Sequence, residues 1–393
     1  MYYRICKPLK DMSFLLLGAR GTGKTWLLEQ DFRESALIWA NLLENRDFLK
    51  YQSQPELLRQ EVEAALKKAT PGKEWVVIDE IQRVPQLLNE VHALIEDRAL
   101  GERVKFALSG SSARKLKRGG GNLLAGRALL NHLYPLSSKE LADDFDLADV
   151  LSWGMLPAIS KQSDTLIRTE QLETYVAVYL REEIREEQLV RNLDPFGRFL
   201  EVAAQTSGQI VNYSKIGRDC SVDSRAVTRY FQILEETLVG AFLKPYHRSV
   251  RKQQGKSPKF YFFDTGVMRT LERTLGSPIS DSSYGYGRLF EHFVIWEMIK
   301  YNEYSRKRYS FSYLITKDGA EVDLIVDRAS KPPVLIEIKS GRSPQLADAR
   351  HLRDLQSGFS GCELWVISQI EREREETGVR FLHWNTALEE LFA

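Results

Sequence analysis

The stretch Gly18-Ala19-Arg20-Gly21-Thr22-Gly23-Lys24-Thr25 satisfies the spacing G-x-x-x-x-G-K-[ST] in full. Glycines at these places let backbone N–H groups curl around phosphate oxygens without side-chain clash. A helix opening at the end of the loop directs its positive end at the same anion. Lys24 is then expected to reach the β- and γ-phosphates of a nucleoside triphosphate and Thr25 to ligate Mg2+. Trp26, the next residue, joins the nucleotide-binding set. Such a loop needs a partner strand that ends in acid, and Trp75-Val-Val-Ile-Asp79-Glu80 is one. Asp79 is suited to support Mg2+ and Glu80 to orient and polarise an attacking water. The competing reading, a plain charged strand end, is disfavoured by the complete loop upstream.

Lys105-Phe-Ala-Leu-Ser109 is a third such strand, and Ser109 at its tip reads either as a sensor of the γ-phosphate or as a turn serine. Residues 105–130 hold six basic residues and no acid. An arginine supplied to the γ-phosphate across a subunit boundary is expected to be Arg127, with Arg114 second, and would make the protein a homo-oligomer. For Arg114, Lys115, Lys117 and Arg118, a solvated basic loop or a nucleic-acid contact is an equal reading.

A second reactive set lies towards the carboxyl end. Asp323 falls within EVDLIVD (321–327), and Glu337 and Lys339 within VLIEIK (334–339). Alternation puts Glu337 and Lys339 on one face of a strand, and hairpin pairing sets Asp323 beside Glu337. Two carboxylates and a lysine are the set that metal-assisted phosphodiester cleavage requires. The carboxylates hold Mg2+ or Mn2+, the metal activates a water, and Lys339 orients or helps deprotonate it. Glu291, on a helix pattern over 287–297, is a further metal-ligand candidate, with Glu297 as alternate. The order helix, three strands, helix, strand, with E…D…E-x-K, resembles the PD-(D/E)XK nuclease superfamily over residues 285–370. One departure is Val322, where the family's naming proline would stand. The alternatives are an inactive nuclease-like fold kept for binding, or ordinary strand charges.

Between these sets, Asn212–Cys220 and Asp223–Glu235 pattern as two short helices, followed by paired strands around a basic connection. This is the order of a winged helix. In a DNA reader Ser224, Arg225, Thr228 and Arg229 would face the groove or phosphates. Residues Lys244–Lys259 carry six basic residues and no acid, as a phosphate-contacting wing would. A structural or protein-docking module is the alternative.

These residues need a scaffold, and the chain is long enough for several. At roughly 150 residues per domain, 393 residues make two or three. Strand patterns at 13–17, 36–42, 75–78 and 105–108 alternate with helix patterns at 55–69 and 86–98, which predicts an α/β P-loop core with a parallel sheet. We divide the chain into a P-loop ATPase core (1–136), a helical lid or linker (137–205), a winged-helix module (206–275) and a nuclease-like α/β domain (285–393). The lid includes a helix over 175–190. Lys+Arg 55 against Asp+Glu 54 excludes a wholly basic coat, and three scattered cysteines exclude a cysteine-based metal site. The amino end lacks a signal-peptide pattern and no apolar run approaches the ~20 residues of a spanning helix, so a cytoplasmic protein with no membrane partner is expected.

GARGTGKTWLL, WVVIDEIQRVP, LSGSSARKLKRGGGNLLAGRA and YPLSSKEL, in this order, resemble the prokaryotic AAA-type ATPases whose C-terminal half is the DUF4143 domain. The resemblance implies an additional-strand ATPase core of the AAA/STAND-like kind; the glycine loop and acid-tipped strand call for ATP and Mg2+, and the basic segments with the winged-helix order for a nucleic-acid partner, DNA before RNA. A STAND-like switch with an inactive nuclease-like domain is the other reading.

Overall fold

A computed structural model describes residues 2–69, 74–111, 124–180, 193–247, 257–281 and 283–393. Arg114, Lys115, Lys117, Arg118, most of the 175–190 helix and the centre of the basic connection (248–256) lie outside the described residues. Tyr175–Leu180 form a π-helical turn. The chain divides into two compact units, one of Met1–Leu136 with Leu156–Ala158 and Glu236–Val239, the other of Ser137–Met155, Ile159–Glu235 and Gly240–Ala393.

In the first unit, β1 (Phe14–Leu17), β2 (Ala36–Asn41), β3 (Trp75–Asp79), β4 (Lys105–Gly110) and β5 (Leu129–His132) form a parallel sheet in the order β2-β3-β4-β1-β5. Its inner strands are apolar because both faces are covered, and β3 is buried at every position. Leu58, Val62 and Leu66 of helix Leu57–Lys68, and Leu87, Leu88, Val91 and Leu94 of helix Leu87–Glu96, supply one cover at helical spacing. Phe14, Phe32 and Trp75 supply another, with Phe32 and Trp75 edge to face at 4.7 Å. The order matters for chemistry: β4 lies between the loop-bearing β1 and the acid-bearing β3, so the tip of β4 stands between loop and acid.

In the second unit, helices Tyr213–Cys220 and Ser224–Glu236 are joined by a turn in which Ser221 is left-handed. Val227, Tyr230, Phe231, Ile233 and Leu234 bury one face of the second helix, while Ser224, Arg225, Thr228 and Arg229 are exposed. The strands β6 (Gly240–Pro245) and β7 (Lys259–Phe262) follow. They pair with each other, and β6 also runs parallel to β8 (Ser310–Ile315). They therefore end a sheet that continues through β9 (Glu321–Arg328), β10 (Lys331–Ile338), β11 (Glu363–Ser368), β12 (Arg374–Glu376) and β13 (Val379–His383). The order is β12-β13-β11-β10-β9-β8-β6-β7. Val322, Ile325, Leu335, Leu364, Val366 and Phe381 form a core with Leu352. The long helix Tyr284–Ser305 buries Phe290, Phe293, Val294 and Trp296.

Glu297, on that helix, is fully buried away from water. Its carboxylate accepts from Lys300 Nζ at 2.9 Å and from the backbone and hydroxyl of Ser138 at 2.9 and 2.6 Å. Glu297 thus anchors the short helix Ser138–Leu141. Removing one member of a buried ion pair strands the other, so Lys300→Met is expected to cost about 3–5 kcal/mol, read as a lower midpoint in denaturant melts.

Candidate functional site

Gly18 follows β1, where a Cβ would meet the Leu133 carbonyl oxygen at 2.4 Å. Gly23, at φ +90, occupies a conformation that a side chain would strain, and it opens helix Lys24–Phe32. The buried Lys24 ammonium donates to Gly18 O at 3.0 Å and Ala19 O at 3.3 Å, and lies 3.6 Å from Glu80 Oε1. Thr22 is buried and its hydroxyl donates to Ala19 O at 2.8 Å, while Arg20 and Gly21 are exposed. Arg4 braces the loop from outside: its guanidinium donates to Thr22 O at 2.5 Å and Tyr134 O at 2.7 Å. Trp26 is half-buried and lines a cleft of about 370 Å³ with Tyr3, Arg4, Lys7, Pro8 and Gln30.

Thr25 Oγ1 donates to Asp79 Oδ2 at 2.6 Å, and Ser109 Oγ donates to Asp79 Oδ1. Ser109 also accepts the Glu80 N–H at 3.0 Å. The β4 serine therefore ties Asp79, the last residue of β3, to Glu80 just beyond it. Glu80 is left-handed (φ 59), which turns the chain sharply after Asp79 at a cost of about 1–3 kcal/mol. Its carboxylate takes a hydrogen bond from Gln82 Nε2, which also donates to Ser111 Oγ at 2.9 Å. Arg127, by contrast, forms an ion pair with Glu96 on the surface. Arg4, Gln82 and Ser111 were not singled out by sequence. Gln82 stands in the quoted IDEIQ segment and was legible there, whereas Arg4 carries no local signal.

In the second unit, the antiparallel register Ile336↔Leu324 brings Glu337 opposite Asp323. Asp323 Oδ2 accepts the Ile338 N–H at 2.8 Å, and Lys339 Nζ donates to Glu337 Oε1 at 2.7 Å. Glu337 Oε2 is buried without a hydrogen-bond partner. Glu291 accepts from the Tyr261 hydroxyl at 2.7 Å and lies 3.7 Å from Lys259 Nζ, which is 2.6 Å from Glu321 Oε1. Sequence reading counted Lys259 among the basic residues of a phosphate-contacting wing, whereas it is buried against carboxylates, and it missed Tyr261 and Glu321. The alternation Lys259-Phe-Tyr261 was visible, but not which sheet β7 would join.

Burial pushes Asp323 well above the usual carboxylate range, and Glu291 and Glu337 add to it, against Lys259 and the Ile338 N–H. Burial also raises Glu337, opposed by Lys339. Burial holds His292 neutral, down at about 3. Among the described residues no three His, Cys, Asp or Glu side chains form a group able to hold a metal ion. The Asp323–Glu337 pair nevertheless fits a hard cation, because both offer oxygen and one buried oxygen is unpartnered. Mg2+ commonly takes only one or two protein carboxylates, the rest being water or phosphate.

Residues 10–142 match the model of the AAA domain, 144–278 that of a domain of unknown function (DUF8612), and 286–387 that of a domain of unknown function (DUF4143). The N-terminal region is thus similar to AAA domains. An uncharacterised protein of Mycobacterium tuberculosis is 24% identical over 283 residues, covering 72% of this chain and 62% of its own length. The chain thus spans less than two thirds of that relative. An uncharacterised protein of Haemophilus influenzae is 24% identical over 350 residues, covering 82% of each chain. One of Methanocaldococcus jannaschii is 25% identical over 382 residues, covering 85% of this chain and 76% of its own. Among solved structures, the Aeropyrum pernix Orc1 protein in complex with DNA aligns at TM-score 0.26 and 15% identity, over 68% of this chain and 87% of that one. Cdc6p of Pyrobaculum aerophilum aligns at TM-score 0.26 and 13% identity, over 67% and 86%. Among the described residues no helix is long and apolar enough to cross a membrane.

Burial raises Asp79 above the 3.8 of a free aspartate, against the hydroxyls of Ser109 and Thr25. The folded state therefore holds this proton more tightly than the unfolded chain. The contribution to stability is full below 3.8 and is lost as pH rises through the folded value. Asp79→Asn is expected to remove that slope from thermal melts of nucleotide-free protein. At neutral pH it should raise the midpoint by about 2–4 °C for each kcal/mol recovered.

Proposed function

We propose that this protein hydrolyses ATP with Mg2+ in its N-terminal unit and uses the nucleotide state to govern a nucleic-acid-binding and metal-dependent nuclease module in its C-terminal unit. The observation that carries the reading is the closed network Thr25–Asp79–Ser109–Glu80–Lys24 at the end of the glycine loop. Lys24 exchanges its loop carbonyls for phosphate oxygens when a triphosphate enters. The loop N–H groups of Gly18, Ala19, Arg20, Gly21, Thr22 and Gly23 bind the anion, and Trp26 with the adjoining cleft receives the base. Thr25 and Asp79 would hold Mg2+, which neutralises charge on the β- and γ-phosphates when bound. Glu80 swings from Gln82 to a water and polarises it, while Ser109 keeps both acids aligned. Arg127 would serve a neighbouring copy only after leaving Glu96.

In the C-terminal unit, Asp323 and Glu337 would hold a divalent ion, with Glu291 beside them. That ion supplies an activated water when bound. Lys339, already 2.7 Å from Glu337, orients that water. Ser224, Arg225, Thr228 and Arg229 present an exposed polar edge to DNA. The second reading, a nucleotide switch with an inactive nuclease-like domain, is favoured by one observation: Lys259 already holds Glu321 and approaches Glu291.

Lys24→Ala is expected to abolish ATP hydrolysis. Glu80→Gln should keep nucleotide binding but lower kcat by about 10²–10⁴-fold. Normal turnover in both variants sinks the ATPase assignment. With Mn2+ and DNA, cleavage by wild type that disappears in Asp323→Asn and Lys339→Ala supports the nuclease reading; no cleavage by wild type on any DNA form favours the switch. Arg225→Ala and Arg229→Ala should each reduce the salt slope of DNA binding by about 1.

A further inference from the structure

β7 is the last strand of its sheet, and it turns Lys259 and Tyr261 to the same side, towards carboxylates carried by the long helix and β9. Lys259 is 5% exposed. Its ammonium touches Glu321 Oε1 at 2.6 Å and stands 3.7 Å from Glu291 Oε1, whose other neighbour is the Tyr261 hydroxyl. Glu291, Glu321, Asp323 and Glu337 carry four formal negative charges against two positive ones on Lys259 and Lys339. The excess of carboxylates over ammonium groups favours a further cation, such as one divalent ion. An independent observation marks where such an ion finds a vacant ligand: Glu337 is 8% exposed, and its Oε2 is buried with no hydrogen-bond partner.

The geometry points to Lys259, held by Glu321 and Glu291, as an internal cation that competes with a divalent metal ion at the Asp323–Glu337 pair, an inference that rests on those two being the metal-holding pair. Lys259 engages Glu321 and Glu291 rather than the pair itself, so it acts by charge: two cations close together in a poorly screened site repel. Competition is reciprocal: whatever factor Lys259 takes from metal affinity, the metal takes from the Lys259 contacts. The strand that bears Lys259 follows the helix pair of the same unit, so the contact is a built-in brake that any shift of β7 would release.

The test uses nucleotide-free full-length protein and Mn2+, with free Mn2+ read by electron paramagnetic resonance. Lys259→Met is expected to bind at least tenfold more tightly than wild type, Lys259→Arg to bind like wild type, and Asp323→Asn to lose the site. Because Lys259→Met leaves buried carboxylates unpaired and can fail to fold, the wild-type chain supplies a second measurement. Acetylation of Lys259 by acetic anhydride, followed by mass spectrometry, is expected to rise severalfold when Mn2+ is added. Equal Mn2+ affinity in wild type and Lys259→Met, or acetylation indifferent to Mn2+, overturns the role of Lys259 alone. Absence of any Asp323-dependent Mn2+ binding in both wild type and Lys259→Met overturns the metal site itself.

Discussion

Asp79 ends a strand with no exposed residue, and a carboxylate there has lost the water that would stabilise its charge. Two hydroxyls replace that water, Thr25 from the glycine loop and Ser109 from the neighbouring strand. Because one hydroxyl comes from the helix that opens at the loop and the other from the end of β4, the one acid fixes the relative positions of loop, β3 and β4. Glu80 inherits its place from the same network, through its N–H to Ser109 and its carboxylate to Gln82. The left-handed turn at Glu80 is strain that this network holds in place.

The C-terminal unit meets the same problem with different chemistry. There, several carboxylates crowd together, and hydroxyl dipoles do not offset that much charge. Full ammonium charges are added, Lys339 on Glu337 and Lys259 on Glu321, beside the Tyr261 hydroxyl on Glu291. The contrast has a consequence for ligands. A hydroxyl can keep its bond to an acid while a metal approaches the other lone pairs, whereas an ammonium occupies the electrostatic place of the metal.

The edge of the second sheet explains why Lys259 is available. Strands β6 and β7 follow the helix pair in sequence, yet β6 runs parallel to β8 and extends the sheet that carries Asp323 and Glu337. The connection between helix pair and carboxylate cluster is therefore made by backbone ladder rather than by a linker. Glu297 shows the opposite case: it shares a helix with Glu291, but burial and its bonds to Ser138 and Lys300 make it a packing anchor.

Local signals sufficed where one segment carries both the chemistry and its placement. The glycine loop, the apolar strand ending in Asp79 and Glu80, and the alternation of Glu337 with Lys339 were legible because backbone geometry alone sets those spacings. The parallel sheet followed from alternating strand and helix patterns. Lys259, Tyr261 and Arg4 were not legible, since their partners lie far away in sequence: Glu291 for Tyr261, Glu321 for Lys259, and Tyr134 for Arg4. The linear chain determined which groups could react and which faces would be buried, because these depend on residue type and period. Tertiary structure decided which charges meet, because strand order and register are settled by the burial of whole faces and leave no mark at any single residue.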